Sequence, residues 1–306
     1  MTRAAVLIVP LSLALLCSCD DMVQFGHVQQ DFHYSYAMQP GGHLDVENRN
    51  GGMSIIGWDR NSIDVAGSKY AGNESELSQV RIKVDVNGNA ATIVTESPDW
   101  GNYGAHYTIR VPRNTAVGRA KSTNGNVTVE DLTSGGTLVS TNGRMTLHRD
   151  DGNFDVRTTN GSVEYEDCSG LERAETTNGS VKGTLKSGSF EAHTTNGSID
   201  LTLDNPGRGQ QLRAETTNGS VQIALNQFLE NPIRAQTTHG SLTLRLPHNT
   251  DAHLDAHTSL ARISSDLPMS AEESDKHELH GNLGSGGPVI SVTTSTGPIH
   301  IEDGGR

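Results

Sequence analysis

The peptide Thr-Asn-Gly returns along this chain at a fixed step, and that step constrains the fold more than any other feature. The asparagines are Asn124, Asn142, Asn160, Asn178 and Asn196, each 18 residues after the last; Asn218 follows after 22, and His239 and Leu260 after 21 each. Asn50-Gly51 is an early copy and Thr296-Gly297 a degenerate final one. One turn signal per repeat at such a period marks a solenoid, in which each coil buries its apolar side by stacking on its neighbours.

Within one repeat, Ala174, Thr176 and Asn178 share one parity, and after Gly179-Ser180 the apolar set shifts to Val181, Gly183 and Leu185. Alternation on each side of a glycine, with a parity flip at it, describes two short strands joined by a corner. The register then yields three core columns. Three residues after each corner come Val127, Met145, Val163, Val181, Ile199, Val221 and Leu242. Five after come Val129, Leu147, Tyr165, Gly183, Leu201, Ile223 and Leu244. Four before come Ala120, Leu138, Val156, Ala174, Ala192, Ala214 and Ala235, small residues facing bulky ones, as a thin sandwich requires. The parity rule also turns Asn124, Asn142, Asn160, Asn178, Asn196 and Asn218 inward as a structural corner ladder, with the following glycine supplying a positive φ. The expected fold is therefore all-β, a solenoid of two-strand coils of about 18 residues with Asn-Gly corners, a β-rich N-terminal section and a C-terminal cap.

The ends read differently from the repeats. Arg3, the apolar run Ala4 to Leu16 and then Leu16-Cys17-Ser18-Cys19 resemble a bacterial lipoprotein signal, with Ser18 in the small-residue slot. Residues 1–18 are then the signal peptide and Cys19 the lipidated residue; an ordinary secretory signal cut nearby is the alternative. Acyl chains on Cys19 tie the protein to a membrane, and by resemblance to enterobacterial sorting Asp20 favours the periplasmic face of the inner membrane, with the outer membrane as the other destination. Residues 19–41 are expected as a lipidated tether, 42–303 as one solenoid domain. Within that domain 42–115 is a wider β-section, 116–266 the regular repeats, 267–287 a loop and 288–303 the cap.

Cys168 is the one cysteine left after processing; beside Glu166 and Asp167 it is expected buried and inert. The net charge of -13 argues against nucleic acid as a partner and against anionic lipid held by bulk attraction. Aromatic residues make up only 4% of the chain, which suits a narrow stack better than a wide globular core.

Candidate chemistry is sparse. His253 and His257, and His277-Glu278-Leu279-His280, are histidine groups, but no helical pattern surrounds the first pair and the second supplies at most three ligands. The turns lack the Asp of calcium nonapeptides. No metal and no cofactor is expected. The outward column three before each corner reads Lys121, Val139, Arg157, Glu175, His193, Glu215 and Gln236, so Glu175, His193 and Glu215 would lie about 5 Å apart from coil to coil. That trio is the fallback catalytic candidate; a mixed-charge solvated face is the plainer account. The column Thr123, Thr141, Thr159, Thr177, Thr195, Thr217 and Thr238 forms an outward ladder able to meet sugar hydroxyls or ordered water.

Val46-Glu47-Asn48-Arg49-Asn50-Gly51 with Ile55-Ile56-Gly57-Trp58-Asp59, then Tyr107-Thr108-Ile109-Arg110-Val111-Pro112, the Thr-Thr-Asn-Gly-Ser-Val repeats and the closing Leu283-Gly284-Ser285-Gly286-Gly287-Pro288 and Thr294-Ser295-Thr296-Gly297 together resemble the bacterial putative-adhesin family of β-strand repeats. The resemblance spans roughly residues 42 to 303. It implies a β-solenoid exposed in the cell envelope, a domain of unknown function with no agreed active-site residues to carry over. The expectation is a non-catalytic, lipid-anchored interaction or structural module that holds an envelope protein or glycan. The alternative is a polysaccharide-active enzyme, which would need its carboxylates gathered in a cleft.

Overall fold

In the computed structural model the described residues are 28–98 and 101–305. The expected signal, Cys19 and the first part of the tether lie outside them. Among the described residues the chain is all-β apart from one helical turn, Glu74–Leu77, which Asn73 caps through its side chain.

Parallel pairing from coil to coil builds two faces. On one, Val156, Ala174, Ala192, Ala214 and Ala235 pair in succession. On the other, Val163, Val181, Ile199, Val221 and Leu242 do so. The faces are continuous at places, because Val163–Thr176 and Val181–Asn196 run round the turn between them. Alternation puts every second side chain between the faces, and the three expected columns are buried there with one exception. Gly183 has no side chain to bury, and a Cβ there would meet the Tyr165 backbone carbonyl one coil back.

Several expectations are corrected. The tether ends sooner than residue 41: Val28–Ala37 is a strand, antiparallel to Ser62–Ala71. Its alternating Phe32 and Tyr34 pack against the core, a period-two signal masked by the polar residues around it. The segment 267–287 is not a loop but carries an antiparallel pair, Met269–Ser274 with Glu278–Leu283. Leu279 and Leu283 point inward while His280 and Asn282 alternate between them, so a polar composition hid a strand.

Residues 288–303 do not close the stack. Val289–Thr294 lies between Ile233–Gln236 and Ala252–Thr258, and Ile299–Asp303 between Leu242–Leu246 and Ile263–Ser265. The last coil in sequence is thus inserted between two earlier ones. The N-terminal end repeats the device. His43–Glu47 pairs with Ala90–Glu96 on one side and Ala116–Asn124 on the other. Met53–Trp58 lies likewise between Gly104–Pro112 and Val127–Glu130. Nothing in a local sequence pattern specifies which non-adjacent strands meet.

Candidate functional site

The corner is the most regular surface of the molecule. Each asparagine Nδ2 donates to the Oδ1 of the asparagine one coil earlier: Asn124 to Asn50 at 2.8 Å, Asn142 to Asn124 at 2.7 Å and Asn160 to Asn142 at 2.8 Å. Asn178 to Asn160, Asn196 to Asn178 and Asn218 to Asn196 continue it at 2.8, 2.9 and 2.8 Å. The ladder exists as expected, but it faces solvent rather than the interior, and all six donors are exposed. Strand alternation stops where the chain bends, so parity carried through the corner assigns the wrong side.

The inward position belongs to the residue two before each asparagine. Thr158, Thr176, Thr194, Thr216 and Thr237 are buried there, and each hydroxyl donates to the carbonyl of the corner glycine one coil back: Gly143, Gly161, Gly179, Gly197 and Gly219, at 2.8–3.2 Å. Ser140 does the same to Gly125, Thr294 to Gly240 and Thr258 to Gly297. Buried carbonyls need such partners. Sequence reasoning noted the parity of Thr176 and assigned it no role; the signal was the doubled threonine. The second threonines, Thr123, Thr141, Thr159, Thr177, Thr195, Thr217 and Thr238, face outward as expected.

The corner glycines also differ from expectation. Gly143, Gly161, Gly179, Gly197 and Gly219 do not adopt left-handed φ; what they lack room for is a Cβ, which would meet the backbone carbonyl of the glycine below.

The outward trio is brought together in register, since Glu175 pairs with His193 and His193 with Glu215. The face around it is cross-linked by ion pairs. Glu215 lies 2.9 Å from both the Arg213 and Arg234 guanidiniums. Glu191 meets Arg173 at 2.8 Å and Arg213 at 3.8 Å, and Arg157 joins Asp155 at 2.7 Å to Glu175 at 3.9 Å. Partial burial pulls the Glu215 carboxyl up, but hydrogen bonds and charge from Arg213 and then Arg234 outweigh it, so Glu215 sits below its ordinary value. A general acid needs the opposite shift. If Glu215 were catalytic, Glu215→Gln would abolish release of reducing ends from envelope polysaccharide. The expected result is no release above background by wild type or variant.

The histidine groups lie on the same side of the sheet. His253 and His257 lie in the strand Ala252–Thr258, which, as expected, is not a helix. Each ring already has a neighbour: His253 and Asn282 at 3.1 Å, His257 and Glu278 at 3.3 Å, His280 and Asp255 at 3.1 Å. Among the described residues no group of three or more His, Cys, Asp or Glu is placed to hold a metal ion.

One buried cluster was missed altogether. Glu172 stands between Phe154 and Phe190 in register, at an inward position, and is 1% exposed. Neither carboxyl oxygen has a hydrogen-bond partner, nor does the Tyr165 hydroxyl or the Oδ2 of buried Asp150. Cys168 is buried beside them, as expected, and burial pushes its thiol up to about 12. The 18-residue step from Phe154 through Glu172 to Phe190 was legible in the sequence.

Among curated proteins, none matches the chain. Similar solved structures include a putative adhesin from Parabacteroides distasonis, 11% identical, covering 89% of this chain and 97% of that one with a TM-score of 0.44. Another from Bacteroides fragilis is 13% identical with the same coverages and a TM-score of 0.39. A further structure from P. distasonis, named as a putative lipid binding protein, is 10% identical, covering 91% of this chain and 97% of that one with a TM-score of 0.32. The family described as Toastrack DUF4097, a domain of unknown function, matches residues 41–302, and the chain belongs to it.

Proposed function

We propose that this protein is a non-catalytic interaction or structural module of the bacterial cell envelope, built of coils of about 18 residues and tied to a membrane by lipid on Cys19. The observation that carries the reading is the exposed corner. A rigid row of asparagine amides beside outward threonines presents evenly spaced donors and acceptors along the stack. Such a row suits an extended polar partner, an envelope protein or a glycan, rather than a small substrate held in a cleft. The neighbouring charges are spent on one another, and the carboxylate at their centre is held ionised. Asp20 after the lipidated cysteine favours the periplasmic face of the inner membrane, and the acidic balance disfavours nucleic acid.

The test uses lipid-free protein beginning at Asp20, incubated with separated envelope fractions. Saturable retention by one fraction, with no newly soluble sugar or peptide, is the expected result. Glu215-dependent release of fragments would replace this reading with a polysaccharide-active enzyme.

A further inference from the structure

The core holds one place where its own pattern is broken. Along the inward column Phe154, Glu172 and Phe190 pair in register, and Leu212 with Ile233 continues it one residue before the Glu191–Arg213 pair. The carboxyl at Glu172 is therefore flanked by two phenylalanines, with both oxygens unpartnered. The Tyr165 hydroxyl and Asp150 Oδ2, also unpartnered, belong to the same interior region, while Asp150 Oδ1 accepts from the Leu132 amide at 2.8 Å. The backbone is irregular here as well. Pairing between Val163–Thr176 and Val181–Asn196 shifts register twice, at Tyr165/Cys168 and Cys168/Ser169, and Asp167 takes a left-handed φ of 59°.

We propose that Glu172 is a proton-binding site inside the stack and that the coil around it is an acid-tightened joint, closed when the carboxyl is neutral and loosened when it ionises. An ionised carboxylate here, 1% exposed and set between two phenylalanines, is costly. The charged groups around it reinforce this. Asp150 acts on Glu172 by charge, Glu172 acts on Tyr165 and Cys168, and Glu130 and Asp131 act on Asp150. The cations on this side, Arg149 and Arg113, are engaged at the surface: Arg149 with Asp131 and Glu130, Arg113 with Asp131 at 3.4 Å.

Burial, then the neighbouring Asp150, raises Glu172 well above its ordinary value; burial raises Asp150 to about 7. For acids raised by folding, the fold has its full stability below the unfolded values, about 4. That stability is lost as pH rises through the folded values, because above pH 4 the unfolded chain has already shed protons the folded chain keeps. For Asp150 the window closes near 7, and for Glu172, which burial and then Asp150 raise well above its ordinary value, the loss runs in the same direction.

Two readouts test the joint. The first is the melting temperature of wild type, Glu172→Gln and Glu172→Leu between about pH 5 and about pH 8. Wild type is expected to lose melting temperature as pH rises, and both neutral variants to lose markedly less. The second is labelling of Cys168 by a neutral thiol reagent, normalised to free cysteine at each pH. The wild-type rate should rise about tenfold more than that of Glu172→Gln. Should Glu172→Gln fold poorly, Glu172→Leu, which matches Leu212 in the same column, carries both measurements. Equal pH dependence in wild type and the neutral variants, in either readout, would overturn the proposal.

Discussion

Gly179→Ala is expected to lower stability by about 3 kcal/mol, among the largest effects of any single methyl in this protein. A Cβ at Gly179 would sit 1.9 Å from the Gly161 carbonyl oxygen and 2.5 Å from its carbon. Both atoms are backbone, so no side chain can swing away. Relief requires the two coils to separate at the corner, and separation stretches the Asn178–Asn160 bond above and the pairings beside it. Gly88 is the control. Its φ of 59° is left-handed but nothing lies within 4 Å of its Cβ, so alanine there costs only the backbone penalty, about 1–2 kcal/mol. Thermal unfolding followed by circular dichroism reads both, with a fall of roughly 6 °C or more for Gly179→Ala. A fall no larger than that of Gly88→Ala would show that the corners are not held by close backbone approach.

Thr194→Val and Thr195→Val should differ sharply although the residues adjoin. The Thr194 hydroxyl is buried and donates to the Gly179 carbonyl at 2.8 Å. Valine keeps the shape and strands that carbonyl, at a cost of about 1–3 kcal/mol. Thr195 faces outward, where valine is an equally good strand residue, so the change should stay within about 0.5 kcal/mol. Urea midpoints at constant slope are the measurement. Equal losses at the two sites would mean that the hydroxyl ladder adds nothing beyond packing.

These two experiments separate what could be read from the sequence from what could not. Alternation and the 18-residue step placed Val163, Val181 and Ile199 in one buried column and Thr177 and Thr195 outside, because side-chain period and coil period are both local properties. The same rule put Asn178 inside, since parity says nothing about where a strand bends. It placed Thr176 correctly but could not reveal its bond to Gly161, whose geometry depends on how closely two coils approach. The outward trio was legible as a stack, whereas the grip of Arg213 and Arg234 on Glu215 involves side chains two residues and one coil away. The 18-residue step sets Glu172 between two phenylalanines, a signal the sequence reading passed over, and only the packed interior shows that its oxygens find no partner.

The inserted coil gives its two strands a role that position in the chain alone does not suggest. In an ordinary stack loss of the last repeat uncovers one new rim. Here the strands Val289–Thr294 and Ile299–Asp303 fill a slot already flanked on both sides. Loss of residues 288–306 would leave two gaps in mid-stack, with unpaired strand rims facing each other across each. The slot stays open until residues 289–303 have emerged, so these two strands work as a keystone: a copy lacking them keeps raw edges open to proteases and to other chains.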